Sequence, residues 1–433
     1  MNQLVRFTPA AHELPVRGQR RRGARSGTFG VLDIGTTKIV CIIARIEGDG
    51  TPRALGFGWQ KAVGIKAGSI IDLEAAELAI RAAVAHAEEM ADVQLRGVIV
   101  NLSCGQPESR GVNVQWPVGG RATTETDLRA MLHEGRRRAE LDGRTVLHAL
   151  PLGFTVDATP GVPDPRGMVC DTLSARLHVV DAAENALSNL GVCLARCDLD
   201  VEEVVSAPFA AGLACLDDDE MELGTVIIEM GGGTTSLAVF SEGHLAHTAQ
   251  LPIGGWQVTN DIARVLSTPI AHAERLKVMH GSALEGDDRG EMLPVPQVGE
   301  SEEHLARIPR RMITAIIRPR VEETFEMLRS RIESAGLAPD MTKRVVLTGG
   351  ASQLIGMSEL AARVLDRPAT QIRVARPRMV RGLPESAAGV AFSTPIGLLG
   401  WAGGHGRPVI DLGAAPPPAG TLRKLAAWMK AWW

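Results

Sequence analysis

Residues 226–240 read VIIEMGGGTTSLAVF, and residues 31–41 read VLDIGTTKIVC. Each segment has an acidic residue near the end of an apolar run, followed by glycine, two threonines and a second apolar run. This order predicts a β-hairpin whose turn can wrap an anion, because glycine permits close approach and successive backbone N–H groups form an anion-binding nest. One such hairpin alone is more often a simple turn. The pair, whose acidic residues are 196 positions apart, predicts a phosphate site assembled from both halves of the chain.

The two turns supply the candidate phosphate-binding residues, and their threonine hydroxyls add donors to the backbone N–H groups. In chain order these residues are Asp33, Gly35, Thr36, Thr37, Lys38, Gly231, Gly232, Gly233, Thr234 and Thr235. A Mg²⁺ ion bound to the phosphates would face the carboxylates of Asp33 and Glu229, because this ion prefers oxygen ligands. The sequence thus predicts metal contacts on both hairpins.

A third segment, residues 345–354, reads VVLTGGASQL. It predicts a buried strand whose glycine turn, at Gly349 and Gly350, leads into a helix over 353–365. The N-terminus of a helix binds anions readily, so this element suits an adenosine and its neighbouring phosphate.

The composition is that of an ordinary globular protein of 433 residues. Its 46 basic and 50 acidic side chains leave no broad cationic surface, which excludes nucleic acid as the main partner. The sequence contains no P-loop, HExxH motif, CxxC pair or EF-hand loop, which argues against those nucleotide and metal sites. Six scattered cysteines indicate a reducing compartment. Because the sequence has no secretory leader and no run of 18 apolar residues, we expect a protein that is neither secreted nor membrane-spanning.

Strands and helices alternate through both halves, which predicts an α/β class with mixed sheets. Residues 72–91 predict a helix with Asp72 as its N-cap. Over 100–182 the sequence changes to short runs broken by proline and glycine, which indicates an inserted small α+β unit. A long helical pattern over 308–333 is interrupted by Pro319, which we expect to kink the helix or split it in two.

The two ends of the chain have sequences unlike the rest. Residues 1–27 are rich in Pro, Gly, Gln and Arg, and they predict a mobile basic tail that is either a solvated leader or a contact for anionic lipid. Residues 402–420 predict a Pro-rich linker.

Residues 421–433, TLRKLAAWMKAWW, predict a helix with one apolar and one cationic face. At 1.5 Å per residue it is roughly 20 Å long, too short to cross a membrane. We expect it to lie in a membrane surface, because tryptophan favours the interfacial zone and the polar face is cationic. The alternative is a helix that docks back on the body of the protein. Its candidate membrane-binding residues are Leu422, Leu425, Trp428, Met429, Trp432 and Trp433.

The phosphate and adenosine segments resemble those of the actin/Hsp70/hexokinase superfamily. In this resemblance residues 33–38 form the first phosphate loop, 229–235 the second and 347–352 the adenosine loop. The segments LPIGGWQVTNDIARVL from Leu251 and PIAHAERLKVMHG from Pro269 are also similar to the FtsA family of bacterial division proteins. The resemblance implies an actin-like two-lobed ATPase fold with mixed β-sheets flanked by helices and an inserted small α+β subdomain of the FtsA 1C type.

The resemblance spans residues 29–400 and implies the division of that part into subdomains, while the two ends of the chain are assigned from their own composition as above. The segments are a disordered basic tail over 1–27, subdomain 1A over 28–99 and 183–222, subdomain 1C over 100–182, subdomain 2A over 223–257 and 319–401, subdomain 2B over 258–318, a linker over 402–420 and a membrane-targeting helix over 421–433.

The resemblance also implies a function: a cell division protein that binds ATP and Mg²⁺, polymerises on the cytoplasmic face of the inner membrane at the division site and anchors FtsZ filaments. The C-terminal tail of FtsZ is expected to bind subdomain 2B, where Arg310 and Arg311 are either contacts or a solvated basic helix end. Later division proteins are expected to bind subdomain 1C. Arg320 and Glu323 are further candidate adenosine contacts.

Two residues depart from the superfamily pattern. The first connecting helix usually carries a Glu or Gln that orients the attacking water, but this chain has APFAAG from Ala207. Alanine cannot polarise water, so we expect ATP binding with weak or no hydrolysis. Glu229 replaces the usual aspartate of the second loop and adds one methylene on the metal side.

Other functions remain open from the sequence. A pilus-assembly adaptor of the PilM family shares the layout but lacks the terminal anchor. A small-molecule kinase or phosphatase of the superfamily needs a catalytic carboxylate and a polar sugar pocket, and neither motif is visible. An Hsp70-type chaperone needs a substrate domain after the nucleotide domain.

Overall fold

A computed structural model describes residues 25–286, 290–300 and 305–407. Within these ranges each helix is too short or too polar to cross a lipid bilayer. Most of the predicted basic tail and of the linker lies outside the described residues, as does the whole predicted membrane helix. The candidate residues left outside in this way are Leu422, Leu425, Trp428, Met429, Trp432 and Trp433.

The described ranges contain α-helices and β-strands that alternate along the chain. The helices are α1 (Leu73–Ala91), α2 (Glu125–Arg138), α3 (Glu184–Arg196), α4 (Ala207–Cys215), α5 (Asp218–Leu223), α6 (Gly255–Leu266), α7 (Ile270–His280), α8 (Arg310–Ser334), α9 (Met357–Val364) and α10 (Ser393–Ala402). The strands are β1 (Thr28–Ile34), β2 (Lys38–Ile46), β3 (Pro52–Lys61), β4 (Ile65–Lys66), β5 (Ser69–Ile70), β6 (Gly97–Leu102), β7 (Glu108–Ala122), β8 (Arg144–Val156), β9 (Thr159–Val162), β10 (Val169–Ala183), β11 (Asp200–Ser206), β12 (Thr225–Met230), β13 (Thr235–Ser241), β14 (His244–Leu251), β15 (Met292–Pro296), β16 (Leu305–Pro309), β17 (Arg344–Thr348) and β18 (Ile372–Val374).

Two five-stranded sheets have the same topology. In the first, β1 pairs antiparallel with β2 and parallel with β6, and the sheet continues from β2 to β3 and from β6 to β11. In the second, β12, β13, β14, β17 and β18 take the places of β1, β2, β3, β6 and β11 with the same directions. The predicted α/β class with mixed sheets is confirmed, and the hairpins β1–β2 and β12–β13 occupy equivalent positions.

Helices α4 and α10 pack against each other and, together, against both sheets. Side chains alternate along the strands, so that Val31 joins this shared core while Leu32 joins the outer core under α1. The two helices meet where a Cβ at Gly397 would lie 1.7 Å from the carbonyl oxygen of Ala210. This close contact between α4 and α10 therefore needs glycine. The helix pair belongs to a hydrophobic core that contains residues of both lobes.

A third sheet, with strand order β7-β10-β8-β9, carries α2 on one face. It falls between β6 and α3 in the chain, which confirms the inserted α+β subdomain. The insert also contacts the second lobe. There the Ser109 Oγ donates to the Thr248 carbonyl at 2.8 Å and accepts from the Thr248 N–H at 2.9 Å.

Two local predictions need correction. The helix α8 begins at Arg310 and runs unbroken through Pro319, so it is not split. A proline removes one helical hydrogen bond, but the buried side chains of Ile317 and Val321 keep both halves packed as one helix. The glycine turn after β17 leads into a short 3-10 turn, and α9 begins only at residue 357.

The buried His178 on β10 gives the fold a pH dependence. It is 1% exposed, and neither ring nitrogen has a hydrogen-bond partner in the described part of the chain. Burial, followed by the nearby His247, His148 and Arg176, lowers its pKa from 6.5 to about 3. The unfolded chain binds this proton near pH 6.5, so the stability present above that pH is lost as the pH falls toward 3.

We expect the variant His178→Leu to reduce this loss. Its effect on the free energy of unfolding should be more favourable at pH 5 than at pH 8 by about 2 kcal/mol, because leucine removes the protonation that favours the unfolded chain. Urea unfolding at both pH values measures the difference. The exposed His86 provides the control His86→Leu, and an H178L variant with the parent's pH dependence would contradict the prediction.

Candidate functional site

The two candidate phosphate hairpins close in the same way. The N–H of Gly35 donates to the Lys38 carbonyl at 3.0 Å, and the N–H of Gly231 donates to the Thr234 carbonyl at 2.8 Å. A Cβ on either glycine would lie 3.0 Å from that carbonyl oxygen. The turns of the two lobes are therefore equivalent in geometry as well as in sequence.

The tips of the two hairpins meet. A Cβ at Gly232 would lie 2.3 Å from Cγ2 of Thr37, and one at Gly233 would lie 2.4 Å from Oγ1 of Thr36. Contacts this short are sterically forbidden, so only glycine allows the second tip to approach the threonines of the first. The structure thus brings together the predicted phosphate-binding turns from opposite lobes.

Three charged side chains lie beneath these tips. Burial, with the neighbouring Glu229 opposed by Lys38, raises the pKa of Asp33 to about 7. Burial also raises the pKa of Glu229 and lowers that of Lys38. Because each carboxylate interacts with Lys38, the three groups form one electrostatic cluster.

Two of these groups, Lys38 and Glu229, are held by residues near the start of α10. The Lys38 ammonium donates to the carbonyl of Ala391 and lies 4.2 Å from the centre of the Phe392 ring. The two oxygens of Glu229 accept hydrogen bonds from Thr394 at 2.5 Å and from Ser236 at 3.2 Å. These contacts fix the Glu229 carboxylate in place.

The oxygen-rich cluster fits a hard cation such as Mg²⁺. Magnesium in nucleotide sites is usually held by one or two carboxylates and by the phosphates themselves. Asp33 and Glu229 supply two buried carboxylates. Within the described ranges no group of three or more His, Cys, Asp or Glu side chains could hold a metal ion. The phosphates of the nucleotide would therefore have to supply the remaining ligands.

The second hairpin is braced by α6 and by the turn after β17. The N–H groups of Gly255 and Trp256 donate to the carbonyls of Gly231 and Gly232 at 3.0 and 2.7 Å. Gly349, with φ of 87°, lies so close to Met230 that a Cβ would be 2.5 Å from its carbonyl oxygen. The predicted adenosine loop therefore lies beside the second phosphate loop.

The two helix residues predicted to contact adenosine, Arg320 and Glu323, form ion pairs within the protein. The Arg320 guanidinium pairs with Asp261 on α6 at 2.7 Å and with Glu323 one turn along α8 at 2.5 Å. The pair with Asp261 braces α8 against α6. Sequence reasoning missed Lys277, which donates to the Gly255 carbonyl at 3.1 Å and so supports the start of α6. Local sequence carries no signal for this contact, because the two residues are 22 positions apart.

The position expected to orient a water carries no polar side chain. Ala207 is the first residue of α4 and is 3% exposed, and Pro208 follows it in the first turn. The described geometry at this helix start offers no carboxylate or amide from the APFAAG segment.

A groove of about 390 Å³ lies between α7 and the β15–β16 hairpin. Sequence reasoning missed it, because its walls come from two separate segments. Arg310 lies beside it: its Nε donates to the carbonyl of His280 at 3.3 Å, and its Nη1 is 3.3 Å from Glu291. Arg311 follows as the second residue of α8. The residues that line the groove include His272, Arg275, Leu276, Met279, His280 and Leu293.

Comparison with known proteins gives a consistent result. A family model described as "Cell division protein FtsA" matches residues 226–397, and one described as "SHS2 domain inserted in FTSA" matches residues 104–181. The chain is 44% identical to the cell division protein FtsA of Rhizobium meliloti (strain 1021), over 87% of each chain. It is 31% identical to that of Escherichia coli (strain K12), over 85% of this chain and 88% of the relative.

Solved structures share the fold at low sequence identity. The PilM–PilN type IV pilus biogenesis complex superposes with a TM-score of 0.61 at 18% identity, over 87% of this chain and 98% of that one. MreB5 of Spiroplasma citri bound to AMPPNP gives a TM-score of 0.51 at 13% identity, over 86% and 95%. These similarities concern architecture, and they confirm the predicted actin-like fold.

Proposed function

The chain belongs to the FtsA family of cell division proteins, and on this premise we propose that it binds Mg-ATP between its lobes, polymerises on the cytoplasmic face of the inner membrane at the division site and anchors FtsZ filaments there. Membership of this family argues against a function as a pilus-assembly adaptor, a small-molecule kinase or a phosphatase. The observation that supports nucleotide binding is the meeting of two equivalent glycine-threonine hairpins from opposite lobes.

In this proposal the hairpins hold the phosphates and the adenosine loop holds the nucleoside. The turn N–H groups and the hydroxyls of Thr36 and Thr37 act as donors, and Asp33 and Glu229 face the metal ion. Bound Mg²⁺ would neutralise phosphate charge. Because the carboxylates are buried, a cation favours their ionised forms, and this supports binding of the nucleotide as its magnesium complex.

Calorimetric titration tests this proposal directly. Mg-ATP should bind with one site per chain, and removal of the metal with a chelator should weaken binding. ATP hydrolysis, measured as release of phosphate, should be slow or absent, because the start of α4 carries Ala207 in place of a water-orienting residue. Binding that does not depend on the metal would contradict the assignment of Asp33 and Glu229.

The groove beside α7 is the proposed site for the C-terminal tail of FtsZ. Leu276, Met279 and Leu293 supply an apolar surface, while Arg275 supplies a positive charge and His272 and His280 supply polar ring nitrogens. Met279 is 59% exposed, although large apolar side chains usually gain by burial. The combination fits a segment with apolar side chains and acidic neighbours.

We expect Arg275→Glu to weaken binding of an FtsZ tail peptide at least about tenfold, because it places a repulsive charge on the groove. The double change Arg310→Glu/Arg311→Glu should have a smaller effect, since Arg310 already pairs with Glu291. Fluorescence anisotropy with a labelled peptide measures both, and Arg137→Glu on α2 is the control. Unaltered binding by both variants would place the tail site elsewhere.

We also propose that later division proteins bind the inserted subdomain over 100–182. Its sheet ends at β9, where three of the four residues are exposed. An exposed strand edge can pair with a strand from a partner, so β9 is the first candidate contact.

A further inference from the structure

The two acidic residues of the phosphate hairpins lie at equivalent positions but have different neighbours. Glu229 is paired across its hairpin with Ser236, whereas Asp33 is paired across the other hairpin with Val40. The Ser236 hydroxyl donates to Oε2 of Glu229 at 3.2 Å, and valine has no hydroxyl that could do the same for Asp33. The two carboxylates of the site are therefore held differently.

The second hydrogen bond to Glu229 comes from α10. Thr394, the second residue of that helix, is 3% exposed and donates from Oγ1 to Oε1 of Glu229 at 2.5 Å. Each oxygen of the carboxylate thus accepts one hydrogen bond from a buried hydroxyl. Because a carboxylate has about four lone-pair positions, both oxygens can still face a cation and its waters.

The start of α10 is itself tied to the predicted adenosine loop. The hydroxyl of Ser393 lies 2.6 Å from that of Thr348 at the end of β17, and the N–H of Gly349 donates to the Val390 carbonyl at 3.1 Å. These bonds hold the residues just before Thr394 in a fixed position relative to that loop. The Thr394 hydroxyl is therefore carried by a well-anchored part of the backbone.

The length of the glutamate side chain decides whether the bond to α10 can form. An aspartate at position 229 would end about 1.5 Å further from α10, the length of one C–C bond. The distance from its carboxylate to the Thr394 hydroxyl would then rise to about 4 Å, which is too long for a hydrogen bond. Glu229 and Thr394 are thus matched to each other in length and in chemistry.

A side chain that hydrogen-bonds a metal ligand orients that ligand, and its loss usually weakens metal binding by roughly ten- to a hundredfold. We propose that Thr394 is a positioning residue for Mg²⁺, because its hydroxyl holds the Glu229 carboxylate in the orientation that faces the metal ion of Mg-ATP. This inference rests on the proposed function, which places Mg²⁺ beside Glu229. It adds a residue of α10 to the parts of the chain that determine how tightly the metal binds.

Calorimetric titration of the full chain with ATP, over a range of Mg²⁺ concentrations and in the presence of a chelator, tests the proposal. Thr394→Val keeps the shape of the side chain and removes its hydroxyl. It should raise the Mg²⁺ concentration for half-maximal ATP binding at least about tenfold, and leave ATP affinity in the chelator within about twofold of the parent. Thr394→Ser retains the hydroxyl and should restore the parent's dependence on Mg²⁺.

A control and a double variant separate positioning from general support of the fold. Thr225→Val removes a buried hydroxyl at the other end of β12, which donates to the Glu220 carbonyl at 2.8 Å, and this variant should bind Mg-ATP like the parent. Glu229→Asp shortens the carboxylate so that it no longer reaches α10. Adding Thr394→Val to that variant should change its Mg²⁺ dependence by less than about twofold, because the bond is already lost.

The outcomes distinguish this proposal from the proposed function. If the parent depends on Mg²⁺ and Thr394→Val shows the same dependence, the role of Thr394 is wrong and the proposed function stands. An equal loss of ATP affinity with and without Mg²⁺ would also overturn it, because that pattern indicates general damage to the site. A tenfold effect of Thr394→Val that persists in Glu229→Asp would do the same. A parent with no dependence on Mg²⁺ would contradict the metal assignment of Glu229 and, with it, this proposal.

Discussion

Gly232→Val is expected to abolish binding of Mg-ATP while the chain remains folded. The glycine lies at the tip of the second hairpin, where a Cβ would be 2.3 Å from a methyl group of Thr37. A valine must push the two hairpins apart, and its branched side chain would fill the space between the turns. We expect affinity to fall at least about a hundredfold, because a displaced turn no longer directs its N–H groups at the phosphates.

Calorimetry measures the loss, and circular dichroism reports whether the fold persists. Gly48→Val is the matched control, since a Cβ there meets no atom within 4 Å and the backbone φ is not positive. It should bind Mg-ATP like the parent chain. Unchanged affinity in the Gly232 variant would exclude the hairpin tips as the phosphate site.

Trp428→Glu/Trp432→Glu is expected to release the protein from anionic vesicles without altering ATP binding. Each tryptophan can bury 150–250 Å² of surface, on the order of several kcal/mol at ~25 cal/mol/Å². Ordering a helix of this length offsets part of that gain, so attachment of one copy is reversible. Loss of two tryptophans and addition of two negative charges should weaken binding more than a hundredfold.

Vesicle flotation measures the release, and calorimetry checks ATP binding. The control Trp59→Glu changes a tryptophan of β3 that is 48% exposed, and it should float like the parent. Continued flotation of the double variant would indicate that the C-terminal helix docks on the body instead.

Filament formation, as proposed, would strengthen membrane attachment and make it depend on ATP binding. A polymer presents many copies of a weak anchor to one membrane, which converts reversible attachment into strong avidity. The proposal therefore links ATP-dependent assembly to residence on the membrane. The Gly232 variant should float less well than the parent in the presence of Mg-ATP, although its own anchor is intact.

The parts of the fold that local sequence determines were predictable. The hairpins over 31–41 and 226–240 carry their glycines, threonines and acids within a few residues, and the structure places them at equivalent positions of two sheets. The helix α1 begins after Asp72, whose side chain accepts from two backbone N–H groups as an N-cap should. These features depend on contacts between near neighbours in the chain.

Other features depend on residues far apart and could not be predicted. The carboxylate of Glu203 meets an arginine 204 positions away, and Lys38 meets a carbonyl 353 positions away. The unbroken α8 shows the same limit, because Pro319 favours a break locally whereas burial of its neighbours holds the helix together. The groove beside α7 needs two segments that only the tertiary fold brings together.

The most direct test of the central proposal is flotation of a fluorescent FtsZ tail peptide with anionic vesicles, the full chain and Mg-ATP. We expect the peptide to float when all components are present, and to stay in solution when the chain is omitted or carries Trp428→Glu/Trp432→Glu. A peptide that stays in solution while the full chain itself floats with Mg-ATP would contradict a role as the membrane tether of FtsZ.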